Sequence, residues 1–259
     1  YSYERVMPGE NYLNSIVNMG RIYSANNSLA KKLCKDFLKL IIDTKKFPLR
    51  EYKSTTEVEL SKIIENSYRA INIAIISDWL KFSIKNNLNL NKILEGIRDR
   101  PTHNNIRFTG LGAGGYCLTK DPIFTQISSK YIFNQNEKFI FSELAVKKRN
   151  EMNLLSFNFI KSIIDKKIII KDKICVFGLS YKNNIGDLRF SSANEIAIKL
   201  KKKYKNVFFQ DNFIKTKNNL KTLNIKEINK FKILVFLVDH NYFKNLSFKK
   251  IKNKIVIDI

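Results

Sequence analysis

The spacing of apolar residues divides the chain into a helical part and a part in which helices alternate with short strands. Over residues 9–50 apolar side chains recur at helical spacing, at Leu29, Leu33, Phe37, Leu38 and Ile41, as far as Pro48, and predict mainly helix. From Ser54 the run Thr55-Thr56-Glu57-Val58-Glu59 reads as an N-cap followed by an acidic first turn. Helical periodicity then continues through Leu60, Ile63, Ile64, Tyr68, Ile71, Ala74, Ile75 and Leu80 without Gly or Pro, which predicts one long helix over roughly 57–86. Its apolar positions occupy more than one face, so it is also the expected dimer contact. A second helix near 90–98 leads to Arg100-Pro101, then to an irregular glycine-rich stretch at 104–121, then to further helix between about 123 and 165.

After Lys173 the pattern changes to short β-branched runs bounded by polar residues. Ile174–Leu179, Val207–Asp211, Ile233–Asp239 and Ile255–Asp258 alternate with helical segments such as Ala193–Tyr204, the signature of a doubly wound α/β sheet. The fold class expected is therefore α/β: a helical central domain followed by a parallel-sheet domain. The chain opens on Tyr1 rather than Met and runs straight into the turn Arg5-Val6-Met7-Pro8-Gly9, and its last residues read as a buried strand. Both ends are expected to lie mid-fold.

Charge changes this picture little. The formal net charge of +24 is spread in short groups such as Lys31-Lys32, Lys166-Lys167, Lys201-Lys202-Lys203 and Lys249-Lys250, among segments rich in Ile and Asn. Such scatter fits solvated surface positions better than a polyanion-binding stripe. The three cysteines Cys34, Cys117 and Cys175 are far apart, and only two histidines accompany them, which argues against a disulfide framework or a bound metal. With no apolar run of about 18 residues and no leader-like start, a soluble, cytoplasmic protein without membrane partners is expected.

Candidate chemistry centres on Gly110-Leu111-Gly112-Ala113-Gly114-Gly115-Tyr116-Cys117-Leu118-Thr119-Lys120-Asp121-Pro122. As a dinucleotide fingerprint it fails, since no apolar strand precedes it and no helix is expected to open at its last glycine. It does combine backbone able to approach a ligand closely with a thiol, and places a carboxylate four residues beyond it. From these residues alone Cys117 reads more readily as a packed small hydrophobe than as a nucleophile, and Asp121 equally as the cap of a helix entering at Pro122.

That segment resembles the motif GxGxGGxCxxxD of the UDP-glucose/GDP-mannose dehydrogenase family. Three further stretches match in order: the turn Glu4-Arg5-Val6-Met7-Pro8-Gly9 is similar to ERVxPG, Lys62–Ala74 to KxxxNxxRAxNIA, and Gly178–Arg189 to GLxxKxxxxDxR. Leu237-Val238-Asp239-His240-Asn241-Tyr242-Phe243 is similar to a segment of the UDP-N-acetylmannosamine branch. The resemblance implies residues 1–53 as the end of an N-terminal NAD-binding domain, 54–165 as the central helical domain, and 166–259 as a Rossmann-like domain that binds the nucleotide sugar.

It further implies oxidation of a nucleotide sugar, UDP-N-acetyl-D-mannosamine being preferred, at C6 to the uronic acid by two hydride transfers to NAD, for surface polysaccharide synthesis. Cys117 would form a thiohemiacetal and then a thioester. Lys62 and Asn66, one helical turn apart, would stabilise the oxyanion, while Asp121 and Glu4 would orient or deprotonate water. Asn105 and the backbone at Gly110, Gly112, Gly114 and Gly115 would line the sugar and pyrophosphate pocket, Lys182 would contact the nucleotide sugar, and Arg189 would reach toward the cofactor. A homodimer through the long helix follows, and a chain without its N-terminal domain is expected not to turn over. Phe190 departs from the family's glutamate and His103 from an arginine of the UDP-N-acetylmannosamine subgroup, which leaves the sugar open. The rival readings are a basic nucleic-acid-binding α/β protein, and a noncatalytic UDP-binding module.

Overall fold

The computed structural model describes all residues except 10, 168, 170–171, 215–224, 245 and 247–250, so the Lys249-Lys250 group lies outside the described residues. Residues 9–50 do not form a mainly helical block. They give helix α1 (Tyr12–Val17), strand β1 (Arg21–Tyr23), helix α2 (Ser28–Ile41) and strand β2 (Leu49–Glu51), with β1 and β2 paired in parallel. Strands of three residues carry too few alternations to leave a sequence pattern. The apolar positions predicted for α2 also divide differently: Leu38 is buried, whereas Leu29, Leu33 and Phe37 are 60–66% exposed.

The long helix is as expected. Helix α3 (Thr55–Lys85) begins with a capping box in which the Ser54 hydroxyl accepts from Glu57 N–H and the Glu57 carboxylate accepts from Ser54 N–H. Helix α4 (Leu90–Arg98) follows, and Leu90 and Leu94 pack on Ile76 of α3. Helices α5 (Tyr116–Tyr131) and α6 (Ile140–Lys167) complete the helical part, both against α3.

Helix α6 joins the two parts. It packs on α3 and α5, while Ile160 and Ile164, fully buried near its end, sit in the core of the following sheet. That sheet consists of β3 (Ile174–Phe177), β4 (Val207–Gln210), β5 (Ile233–Phe236) and β6 (Ile255–Asp258), all parallel in the order β4-β3-β5-β6. Helix α7 (Ser192–Lys203) connects β3 to β4, and the short α8 (Asn241–Lys244) follows β5.

Alternation along β3 explains its unbroken apolar run. Ile174 and Val176 face α6 and α7, while Cys175 and Phe177 face Ile228, Phe231 and Phe243 on the other side. Strand β6 is an edge strand rather than the fully buried one its sequence suggests: Ile257 is buried but Val256 is 44% exposed. The order places the topological switch between β3 and β5, where an open α/β sheet forms its ligand crevice.

At that switch Gly178 has φ +80°, and a Cβ there would stand 2.5 Å from the Val238 Cβ. A Gly178→Ala change meets a left-handed penalty of about 1–2 kcal/mol and overpacking on the order of 1–3 kcal/mol. Thermal melting is expected to show a clear loss of stability, whereas Gly110→Ala, whose Cβ would find nothing within 4 Å, is expected to leave the midpoint in place.

Candidate active site

Gly115, with φ +84°, is the N-cap of α5, so Cys117 stands exposed in the first turn of that helix. No strand leads into the glycine stretch, as expected. A helix does open at its last glycine, contrary to expectation, and it starts well before residue 123. The cap has no side-chain oxygen to announce it, and Pro122, which reads as a first helical residue, lies inside the helix. Asp121 is therefore not an N-cap.

Asp121 is buried, and both its oxygens are occupied. Oδ2 accepts from the Asn66 amide at 2.7 Å, and Oδ1 accepts from Lys120 Nζ at 2.7 Å. Arg69 donates to Asn66 Oδ1 at 3.3 Å, which fixes the Asn66 amide with its NH₂ toward Asp121. The bond to Asp121 holds the Lys120 ammonium above its ordinary range, so it stays a cation. Two exposed rings, Tyr116 and Phe124, lie under that cation at 4.8 and 4.5 Å.

Lys62 and Asn66 share a helix side but grip different partners. Lys62 Nζ donates to the Glu4 carbonyl at 3.2 Å and stands over the Tyr3 ring, fastening the first residues to α3. The Glu4 carboxylate accepts from Val6 N–H. Asn105 donates to the Tyr68 hydroxyl at 2.7 Å, in an exposed position beside α3.

The glycine stretch is clamped to the sheet domain. A Cβ at Gly112 would meet the Arg149 carbonyl at 2.6 Å, and one at Gly114 would meet Tyr181 at 2.9 Å. Arg149, from α6, donates to the Ala113 carbonyl at 2.8 Å and the Phe190 carbonyl at 3.1 Å, and pairs with Glu195 of α7 at 2.5 Å. Asn153 donates to the other Glu195 oxygen, and Ser192 to the Gly112 carbonyl. Phe190 takes φ +50°, unusual for a bulky residue and costing on the order of 1–3 kcal/mol, with its ring 5.8 Å from that of Tyr116.

Across from Cys117, a cavity of about 280 Å³ opens at the switch between β3 and β5. Ser180, Tyr181, Lys182 and Asn183 line it on the β3 side and Val238 and Asp239 on the β5 side, with Gly112 between. Lys182 Nζ donates to the Pro8 carbonyl at 3.2 Å, so this wall also carries the N-terminal turn. Arg189 is exposed at the rim, paired with Asp187, and its guanidinium lies 5.9 Å from the Tyr116 ring. The pairing with Arg189 holds the Asp187 carboxyl below the usual carboxylate range.

Behind the cavity, Asp211 ends β4 fully buried. Its Oδ2 accepts from Leu179 N–H at 2.7 Å and Ser180 N–H at 3.4 Å, and its Oδ1 from Phe213 N–H at 2.9 Å. Burial opposes its ionisation, but the hydrogen bonds from His240, Leu179 and Phe213 outweigh burial and hold the carboxyl below its ordinary range. These amides, at the turn where a dinucleotide fold would cradle a phosphate, are taken by the protein's own carboxylate.

Residues 56–137 match the central domain of the UDP-glucose/GDP-mannose dehydrogenase family, and residues 175–259 match its UDP binding domain. The chain belongs to this family. It is 30% identical to the UDP-N-acetyl-D-mannosamine dehydrogenase of Methanocaldococcus jannaschii and 31% to that of Methanococcus vannielii, over 98% of this chain in each case. It spans 58% of the length of those relatives. Among solved structures, the UDP-D-ManNAc dehydrogenase of Pyrococcus horikoshii superposes with a TM-score of 0.81 at 25% identity, over 99% of this chain and 59% of that one. A UDP-N-acetyl-mannosamine dehydrogenase of Staphylococcus aureus gives 0.80 at 25% identity, over 99% and 63%.

Around the residues named from sequence in this member of the dehydrogenase family, the structure adds contacts that the roles read from the motifs did not include. Arg149, Glu195 and Asp211 hold the site together through contacts distant in sequence, which only their charged, hydrogen-bonding chemistry could have announced, whereas Lys120 and Arg69 lie within the quoted stretches and engage the nearby Asp121 and Asn66. Among the described residues no group of three or more His, Cys, Asp or Glu is placed to hold a metal ion, and no helix is long and apolar enough to cross a membrane.

Two measurements check this geometry. Iodoacetamide labelling followed by mass spectrometry is expected to modify Cys117 first and Cys175 last, since Cys117 is exposed while burial pushes the Cys175 thiol up. Because the Asp211 carboxyl is depressed on folding, its stabilisation is complete above the ordinary carboxylate value of about 3.9 and is lost as pH falls through the lower folded value. Acid denaturation of Asp211→Asn should therefore be flatter below about pH 4 than that of the unaltered protein.

Proposed function

We propose that this chain supplies the catalytic thiol and the nucleotide-sugar site of an NAD-dependent UDP-sugar 6-dehydrogenase, oxidising UDP-N-acetyl-D-mannosamine to its uronic acid for polysaccharide synthesis in the cytoplasm. The observation that carries the reading is Cys117, exposed at the start of α5 beside the Asn66–Asp121–Lys120 cluster and clamped across from the switch-point cavity. The substrate choice rests on the names of the relatives and on the Leu237–Phe243 segment. In this reading residues 1–53 close the NAD-binding domain, 54–165 form the central domain and 166–259 the nucleotide-binding domain, with α6 shared between the last two.

The chain's own residues define the chemistry. The Cys117 sulfur bonds to the aldehyde carbon at C6, and the oxyanion so formed meets the Lys120 cation and the free N–H groups of the first turn of α5. Once that carbon is oxidised, the sulfur leaves as thiolate when water cleaves the thioester. Asp121, saturated by Asn66 and Lys120, orients water rather than taking its proton. Lys182 and the 110–115 backbone serve the diphosphate, and Asn105 and Glu4 line the sugar side. Lys62 acts by holding Glu4, in addition to its cationic charge. NAD, when bound, supplies the hydride acceptor; Arg189 fits only the rim of its site, because the Leu179 and Ser180 amides that could hold a phosphate are given to Asp211.

The exposed stripe Ile64, Tyr68, Ile75, Trp79 and Phe82 along α3 favours a homodimer through this helix. Sedimentation should report a dimer that Trp79→Glu converts to a monomer.

Turnover is tested with the full-length protein joined to its NAD-binding domain, offered UDP-N-acetylmannosamine, UDP-glucose, UDP-N-acetylglucosamine and GDP-mannose. The expected outcome is about two NADH per UDP-N-acetylmannosamine and none from Cys117→Ser. NADH formation undiminished by Cys117→Ser would overturn the thioester route, and uridine nucleotide binding without any NADH would leave a binding module. Steeply salt-dependent nucleic-acid binding with no uridine nucleotide affinity would favour the basic, nucleic-acid-binding reading.

A further inference from the structure

We propose that His240 is the positioning residue of the nucleotide loop, holding residues 179–184 in the one conformation that presents Ser180, Tyr181, Lys182 and Asn183 to the switch-point cavity. The inference rests on reading that cavity as the nucleotide site.

His240 is buried, at 1% exposure, between the rings of Phe213 and Phe243. Its hydrogen bonds determine its tautomer. Nδ1 accepts from Asn184 N–H at 2.9 Å, so it carries no proton. Nε2 lies 3.3 Å from Asp211 Oδ2 and 3.3 Å from Ser180 Oγ. The Ser180 hydroxyl spends its hydrogen on the Lys182 carbonyl at 2.8 Å and is an acceptor toward the ring. Nε2 therefore bears the proton and shares it between Asp211 and Ser180.

This is not a hydrolytic triad, because one nitrogen faces both the serine and the carboxylate and leaves the hydroxyl without a base. What the arrangement does is mechanical. The far end of the loop is held through Asn184, which sits at φ +57° and whose side-chain oxygen accepts from Asn241 N–H at 2.9 Å. The near end is held through Ser180 and through Asp211, which grips the Leu179 and Ser180 amides. One imidazole thus ties both ends of the loop to the end of β5 and fixes the span that carries Lys182. His240 does not line the cavity itself.

The test uses the full-length protein and UDP itself as the probe, with His240→Phe, which keeps a ring among Phe213 and Phe243 and removes both nitrogens, and His240→Asn, whose side-chain oxygen can take the Asn184 N–H. Calorimetry should show UDP binding weakened about tenfold in His240→Phe and largely restored in His240→Asn. Hydrogen exchange in peptides covering 179–184 should be faster in the first variant than in the second. Phe and Asn variants that behave alike, or a cooperatively folded His240→Phe with unaltered UDP affinity and unaltered exchange, overturn the proposal. If the unaltered protein binds no UDP, the nucleotide reading falls by itself, while loop exchange still decides whether His240 positions the loop. Should neither variant fold, the imidazole long-range ¹H–¹⁵N spectrum of the unaltered protein decides, since only two histidines contribute. A proton on Nε2 with Nδ1 bare is required, and a proton on Nδ1 overturns it.

Discussion

The position of the Cys117 thiol depends on one largely buried guanidinium. Arg149 projects from the middle of α6 and joins the Ala113 carbonyl, the Phe190 carbonyl and the Glu195 carboxylate, three groups from three separate stretches of chain. Only arginine carries enough donors in a fixed plane to do this; a lysine in the same place would satisfy one or two partners and leave the others bare. Gly112, packed directly on the Arg149 backbone, and Ser192, bonded to the Gly112 carbonyl, close the remaining gaps. Since α6 also plants Ile160 and Ile164 in the sheet core, the loop that bears Cys117 and the crevice of the sheet are set against one helix. Their separation is thereby fixed, which is what the proposed reaction, with the sugar held by its nucleotide and oxidised at its far end, would require.

The two buried carboxylates follow a common design. Asp121 accepts from Asn66 and Lys120, and Asp211 from backbone amides and His240, so each is held in one orientation. A buried carboxylate with this many donors is a poor proton acceptor, because protonation would forfeit charge-assisted bonds that burial makes expensive to lose. Their value is in holding other groups still: Asp121 fixes the side chains next to the thiol, and Asp211 fixes the turn that begins the crevice wall. The Asp211 arrangement also explains why the C-terminal sheet, despite its doubly wound order, does not offer the phosphate cradle of a dinucleotide fold.

Elements with strong local signals could be read from sequence. The four main strands could be read because the sheet is covered on both sides, so Ile174-Cys175-Val176-Phe177 must be apolar throughout, and α3 could be read because its capping box and its uninterrupted periodicity coincide. The start of α5 could not, since Gly115 caps it by backbone conformation alone and Pro122 mimics a helix start from within. Strands β1 and β2 were hidden by their brevity, and the exposure of Leu29, Leu33 and Phe37 by the fact that amphipathic spacing reveals a face but not whether anything covers it. The structure joins two of the motif residues, Asn66 and Asp121, by a hydrogen bond about one turn along α5 from Cys117. Their supports were invisible because Arg149 reaches Phe190 and Glu195 across some forty residues, a pairing that no local pattern encodes.

The same distinction explains the charge. Most of the basic residues are scattered over solvated positions, yet those at the site are individually engaged: Lys62 with the Glu4 carbonyl, Lys120 with Asp121, Arg149 with Glu195, Lys182 with the Pro8 carbonyl and Arg189 with Asp187. Three of these five have carboxylate partners, so the local field at the cleft is smaller than the net charge suggests. The two without carboxylates, Lys62 and Lys182, bind backbone carbonyls of the N-terminal turn, so no carboxylate offsets their charge. In the proposed reading a diphosphate entering the crevice would meet Lys182 already oriented by a neutral partner, at little cost in lost pairing. On that reading the selectivity of the cleft would come less from the excess charge elsewhere than from which two lysines were left without a carboxylate.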